Sequence, residues 1–191
     1  MGRQRWAVLV GVGTVVAGLI SGGSASAQSA ACANSDAQPG SVSNAELGTA
    51  VTCLINAQRA SFGVAQLTVS PKLVSAETGH VDDMLTHRYL GHRGTDGSLP
   101  AVRAQRAGFL RHYRSFAVGE NLATGQTGAA TPQKVVNAWM NSPTHRRNVI
   151  DPRFRQIGTV VETGSPTGVP GSALDQTAAT YGVTFGVVRR H

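Results

Sequence analysis

Capped helix starts fill the earlier part of the chain and β-rich runs fill its end, and that order constrains the fold more than any other feature. Ser43-Asn44-Ala45-Glu46 has the S-x-x-E form of a capping box. Leu47, Val51, Leu54 and Ile55 follow at helical spacing, and Gly63 ends the run. Ser70-Pro71 opens a second helix that runs to about His87. A third fits Leu99 to Ala107, stopped by Gly108. Thr131-Pro132 opens a fourth, and Ser142-Pro143 one more turn that Asp151-Pro152 closes. Then the pattern changes. QIGTVVE and TAATYGVTFGVV are rich in Val, Thr, Ile and aromatics, as strands are, and residues 163–172 between them read as a hairpin loop. The stretch RHYRSFAVGENLATGQTG, with several glycines, reads as loop or a short irregular turn. Helices first and strands last predict a layered α+β domain.

The start of the chain has the layout of a secretory signal peptide. Arg3 and Arg5 precede an apolar core from Trp6 to Ile20, and Ser24-Ala25-Ser26-Ala27 offers a small-residue cleavage site after Ala27. The apolar core is shorter than the ~20 residues a membrane span needs. Residues 1–27 are therefore expected to be lost, residues 28–42 to form an extended tail, and residues 43–191 to form one domain. The expected location is extracellular, with no stable membrane insertion. Outside the cytoplasm the two cysteines, Cys32 and Cys53, are expected to pair, with two free thiols as the alternative. Neither has a histidine nearby in sequence, which argues against a thiol nucleophile.

The formal charge of the whole chain is +7. Arg88, Arg93, Arg103, Arg106, Arg111 and Arg114 crowd one stretch with only Asp96 opposing them. Such a face could favour anionic wall polymers or lipid headgroups, or simply be solvated, with Arg103 internally paired. No glycine loop ending in Lys-Ser or Lys-Thr, no HExxH and no paired CxxC occurs, so nucleotide chemistry is set aside. No nucleic-acid partner is expected.

The candidate chemistry lies in His92, Glu120 and His145, each expected beside a helix end on irregular structure, where functional side chains are common. Two imidazoles could hold a divalent metal such as zinc, and a carboxylate could be a third ligand or orient one ring. A buried structural hydrogen-bond network is the competing reading. Ser142 lies three residues before His145, which allows a serine nucleophile with Glu120 orienting the imidazole. Trp139, Met140, Tyr181 and Phe185 read as core, with Tyr181 able to lie beside these candidate residues in a shared cleft of the kind the resemblance given below implies. His80 and His87 share a helix face, and His80 is expected to pack or hydrogen-bond near these candidate residues.

A longer set of motifs carries a resemblance. In order these are His80-Val81-Asp82-Asp83-Met84, Tyr89-Leu90-Gly91-His92, Asp96-Gly97-Ser98, Gly119-Glu120-Asn121-Leu122-Ala123, Trp139-Met140-Asn141-Ser142-Pro143-Thr144-His145-Arg146, Gln156-Ile157-Gly158 and Tyr181-Gly182-Val183-Thr184-Phe185-Gly186. From about Val51 to Val187 the chain resembles the bacterial, SCP-like extracellular branch of the CAP superfamily (cysteine-rich secretory, antigen 5 and pathogenesis-related proteins). The resemblance implies a three-layer α-β-α sandwich around a small antiparallel sheet. It implies a cleft of two histidines, here His92 and His145, and two acids, of which Glu120 is one. The position of the second acid holds Ser142, so the group of four is incomplete; Asp96 or Asp151 could approach it.

Fold alone does not fix activity. The expected function is a secreted binding module for an apolar small molecule, such as a lipid or sterol, or for a cell-envelope component, and metal could modulate it. One alternative is a secreted hydrolase, serine- or metal-assisted, using the same cleft. Another is an inert structural or signalling scaffold.

Overall fold

The structure, a computed structural model, describes residues 32–169 and 171–190. The expected signal peptide and its cleavage site lie outside the described residues. The first helix, α1 (Asn44–Ser61), has the expected reciprocal cap: the Ser43 side chain accepts from Glu46 N, and the Glu46 carboxylate accepts from Ser43 N. Cys32 and Cys53 form the expected disulfide. The described part of the tail is not extended. Residues 32–42 turn repeatedly, with Ser35 N bonded to Cys32 O and Ala37 N to Asn34 O, because the disulfide holds them against α1.

After α1 come β1 (Thr68–Val69), α2 (Pro71–His87) and α3 (Pro100–Arg106). Then follow β2 (Ser115–Gln126), a 3-10 turn at Thr127–Ala129, α4 (Pro132–Asn141) and α5 (Pro143–Ile150). The chain continues through β3 (Gln156–Thr163), α6 (Ala173–Gln176) and β4 (Ala178–Arg189). The expected helix starts at Ser70-Pro71 and Thr131-Pro132 are both made, each hydroxyl accepting from the backbone three residues on.

The strand order is β1-β3-β4-β2. The three long strands are antiparallel, as expected, and the two-residue β1 adds a parallel edge, so the sheet is mixed. One expectation fails. The GENLATG stretch is not loop: β2 pairs with β4 along its whole length, from Ser115↔Arg189 to Gln126↔Ala178. Its glycines serve close approach instead of turning. A Cβ at Gly119 would lie 2.9 Å from Asn148 Oδ1 and 3.0 Å from Phe154 Cζ.

Alternation along β4 separates the layers. Ala179, Tyr181, Val183 and Phe185 point to one face and join the main core with Leu47, Val51, Leu54 and Ile55 of α1, Val135, Val136 and Trp139 of α4, and Val149 of α5. Thr180, Gly182, Thr184 and Gly186 point to the other, where α2 and α3 lie. There the close contacts are Glu77 with Thr184 and Gly182, and Leu73 and Phe109 with Gly186. Helices therefore cover both faces, which is the expected α-β-α sandwich. A buried guanidinium joins α1 to the end of α5. Arg59 donates to the carbonyls of Ala65, Val149, Asp151 and Phe154 at 2.8 to 3.2 Å.

Candidate functional site

The site is built around Gly119-Glu120-Asn121 on the edge strand β2. Neighbouring strand residues point to opposite faces. Glu120 pairs with Thr184 and so faces α2 and α3; Asn121 pairs with Val183 and faces α5. Each side chain fixes one histidine or the segment that carries it.

On the α2/α3 side Glu120 is buried, its side chain only 1% exposed. Its Oε1 accepts from Arg103 Nη2 at 2.5 Å. Its Oε2 lies 2.7 Å from His92 Nδ1 and 3.8 Å from His80 Nε2. Arg103 also donates to the carbonyls of His92 and Ser98, so it holds the loop that carries His92. The His92 ring itself is 53% exposed, which leaves its second nitrogen at the surface. The hydrogen bond to Glu120 raises its pKa above the ordinary 6.5, against partial desolvation.

On the other side Asn121 Nδ2 donates to the carbonyl of His145, and Asn148 bridges back to Asn121 Oδ1 and Glu120 O. Those bonds pin α5 to the strand edge. His145 Nδ1 lies 2.9 Å from Ser142 Oγ. Burial and then the charge of His92 push the His145 pKa below its ordinary value. The two imidazoles are thus within electrostatic reach of one another around the edge of β2, and they are tuned in opposite directions.

The structure brings together His92, Glu120 and His145, with Ser142 beside His145. It does not bring in Tyr181, which is fully buried in the main core with its hydroxyl donated to the Ala130 carbonyl. Glu120 orients His92, not His145, so the chain Ser142–His145–Glu120 is not formed. Asp96 bonds Ser98 and Arg106, and Asp151 bonds Arg153, so neither supplies the second acid. Among the described residues no group of three or more His, Cys, Asp or Glu is arranged to hold a metal ion. His92 and His145 offer two imidazoles, short of the three protein ligands a catalytic zinc takes.

Sequence reasoning missed Glu77. It is fully buried, with Oε2 accepting from Thr184 Oγ1 and Oε1 without a hydrogen-bond partner of normal geometry. Burial, then the charge of Glu120, raises its pKa well above the ordinary range. Gly182 makes room for it, since a Cβ there would overlap Glu77 Oε1 at 2.1 Å. The signal was present: a glutamate on the same helix stripe as Leu73, His80 and Met84. Of the arginines, Arg103 is internally paired as expected, while Arg88, Arg93, Arg106, Arg111 and Arg114 are exposed.

A family model described as "CAP: Cysteine-rich secretory protein family" matches residues 53–181. An uncharacterised protein of Bacillus subtilis (strain 168), YkwD, is 35% identical over 113 residues, 59% of this chain and 41% of that protein. The match therefore spans about two fifths of that relative's length. Among solved structures, an outer surface protein from Borrelia burgdorferi superposes with a TM-score of 0.62 at 20% identity, covering 78% of this chain and 97% of that one. An extracellular protein of Bacillus anthracis containing an SCP domain gives 0.54 at 19% identity, covering 78% and 44%. These two likenesses are of fold.

Proposed function

Because the chain belongs to the cysteine-rich secretory protein (CAP) family, we propose that it works outside the cell as a binding module, with the His92–Glu120–His145 cleft recognising a polar cell-envelope component. One observation carries this reading: both carboxylate oxygens of Glu120 are already engaged, by Arg103 and His92. A carboxylate so held does not act as a free base; it orients a ring. His92 holds its proton more firmly than usual and His145 less firmly. Between their two midpoints the pair offers a protonated ring beside a neutral one, a donor beside an acceptor, which suits hydrogen-bonded recognition. The extracellular and outer-surface descriptions of the structural relatives agree with such a location. Among the described residues no helix is long and apolar enough to cross a membrane.

An apolar small molecule would find a better lining elsewhere. A groove of about 540 Å³ between α1 and α2 is walled by Val69, Val74, Val160 and Val161, and neither cleft histidine lines it. A serine hydrolase is the second reading, favoured by the 2.9 Å approach of Ser142 Oγ to His145 Nδ1. It lacks the carboxylate that would orient His145, since Glu120 is taken. No step in either reading requires a metal.

The test is sedimentation with isolated cell envelopes of the producing organism. Wild-type protein is expected to be retained, and His92→Ala with His145→Ala to lower the apparent affinity by about tenfold, the worth of ~1.4 kcal/mol. Equal retention of both proteins would overturn the binding reading. Ser142→Ala is expected to leave retention intact; hydrolysis of envelope material that disappears in that variant would favour the second reading.

A further inference from the structure

Gly79 is unexplained by packing. It sits inside α2, where glycine costs roughly 0.5–1 kcal/mol relative to alanine. A Cβ built there would meet nothing within 4 Å. What its missing side chain does is open the wall of a cavity of about 480 Å³ between α2, the loop after His92 and α3. That volume lies within the range of small-molecule sites.

The cavity reaches Glu120 only through His80 and Arg103, which lie against that carboxylate, and its other walls are Ser75, Gly79, Asp83, Thr95, Asp96 and Arg106. They are rigidly set. Against the cost of burial, hydrogen bonds from Thr95 and Tyr89 hold the Asp83 carboxyl at a pKa of about 2. Asp83 accepts from Thr95 N at 2.9 Å and from Thr95 Oγ1 at 2.6 Å, which clamps the loop to α2. Gly94 N to Ser98 O, at 2.9 Å, closes the turn. A wall ordered before binding loses little freedom on binding.

The charges of this wall cancel. The wall carries two carboxylates, Asp83 and Asp96, and two guanidiniums, Arg103 and Arg106, with Asp96 paired to Arg106. The cavity therefore has no net charge with which to select an ion. It offers hydroxyls, carboxylate lone pairs and guanidinium N–H groups at fixed positions. His80, fully buried, backs the wall, with Nε2 held 2.8 Å from the Gly91 carbonyl. A wall that holds both donors and acceptors matches a ligand whose groups are each donor and acceptor at once, namely the hydroxyls of a sugar ring. We propose that this cavity is a subsite for an uncharged sugar unit of an envelope glycan chain. The inference rests on the envelope-binding reading above and names the class of ligand.

The experiment uses the β-1,4-linked N-acetylglucosamine tetramer as probe and follows backbone amides by NMR. In the wild-type protein, amides of Gly79, Thr95 and Asp96 are expected to shift on titration. Gly79→Leu places a good helix former in the opening; it is expected to melt no lower than wild type and to weaken the sugar at least tenfold. Sugar-induced shifts that are absent at those amides, or that persist unchanged in Gly79→Leu, would overturn the proposal. Envelope retention that depends on His92 and His145 while the sugar leaves the cavity undisturbed would sink the sugar subsite and leave the envelope reading standing. Loss of neither protein nor sugar binding on removing the histidines would sink the cleft as the recognition site and leave the subsite.

Discussion

Glu120 has one oxygen on a guanidinium and the other on an imidazole, and the second contact raises the pKa of His92, while burial lowers that of His145. The two histidines should therefore titrate apart. His92 is expected to lose its proton above pH 6.5 and His145 below it, read from ring-proton shifts against pH. A raised histidine pKa stabilises the fold below pH 6.5, and that contribution is lost as pH rises through the folded value; His145 acts in the opposite sense, costing stability as pH falls below 6.5. Glu120→Gln should bring the His92 midpoint down and leave the sign of the His145 shift unchanged, because burial is its larger cause. Coinciding midpoints in the wild-type protein would contradict this geometry. Glu77 gives a second test. A carboxyl whose folded pKa is raised favours the fold below its unfolded value of 4.5 and loses that advantage as pH climbs toward the folded value. Glu77→Gln mimics the protonated acid at every pH. Its melting temperature should match wild type near pH 4 and exceed it by roughly a few degrees at pH 8, given ~2–4 °C per kcal/mol for a chain of this size.

At the level of the strand and helix, β2 explains why the two histidines meet. One edge strand sends Glu120 to one layer and Asn121 to the other, and Gly119 before them lets α5 and Phe154 close in. Gly119→Ala is expected to destabilise the protein by about 1–3 kcal/mol, the usual cost of overpacking, in urea unfolding. It should also loosen α5, seen as faster amide exchange around His145. This strand is also where sequence reasoning failed. Helix starts were legible because Ser43 with Glu46, Ser70-Pro71 and Thr131-Pro132 act locally, through bonds to the backbone three residues on. The strands β3 and β4 were legible because their Val, Thr and Ile runs are dense. The glycines of β2 look like turn residues when read alone, and only the pairing with β4, some sixty residues later, gives them another use. The pairing of Glu120 with His92 in preference to His145 has the same origin: it depends on which face of a strand the glutamate takes. Glu77 was hidden by its place on an apolar helix stripe, where a buried carboxyl needs Thr184 and Gly182 from a distant strand to be accommodated.

At the scale of the molecule, three layers are held together by a few long-range ties. Arg59 fixes the turn after α5 from across the main core, and the Cys32–Cys53 bridge fastens the start of the described chain to α1. The bridge closes a loop with a sequence separation of 21. Loop-closure entropy puts its worth at about 3 kcal/mol. Cys53→Ser is therefore expected to lower the melting temperature by roughly 6–12 °C at unchanged cleft chemistry, read by calorimetry together with the histidine titrations. A drop with both histidine midpoints preserved would place the bridge purely in stability; altered midpoints would mean that α1 also shapes the site.

The placing of β4 bears on when this protein can become compact. It is made after β2 and β3, yet it lies between them and is the long strand to which each is bonded. A ribosome delivers both neighbours before their shared partner exists. Until Ala178–Arg189 emerges, Glu120 has no Thr184 opposite it and Glu77 has no strand to rest on. The growing chain is thus kept open by its own topology through most of its synthesis. The binding site proposed above can assemble only once β4 has arrived, so the order of synthesis holds back function as well as fold.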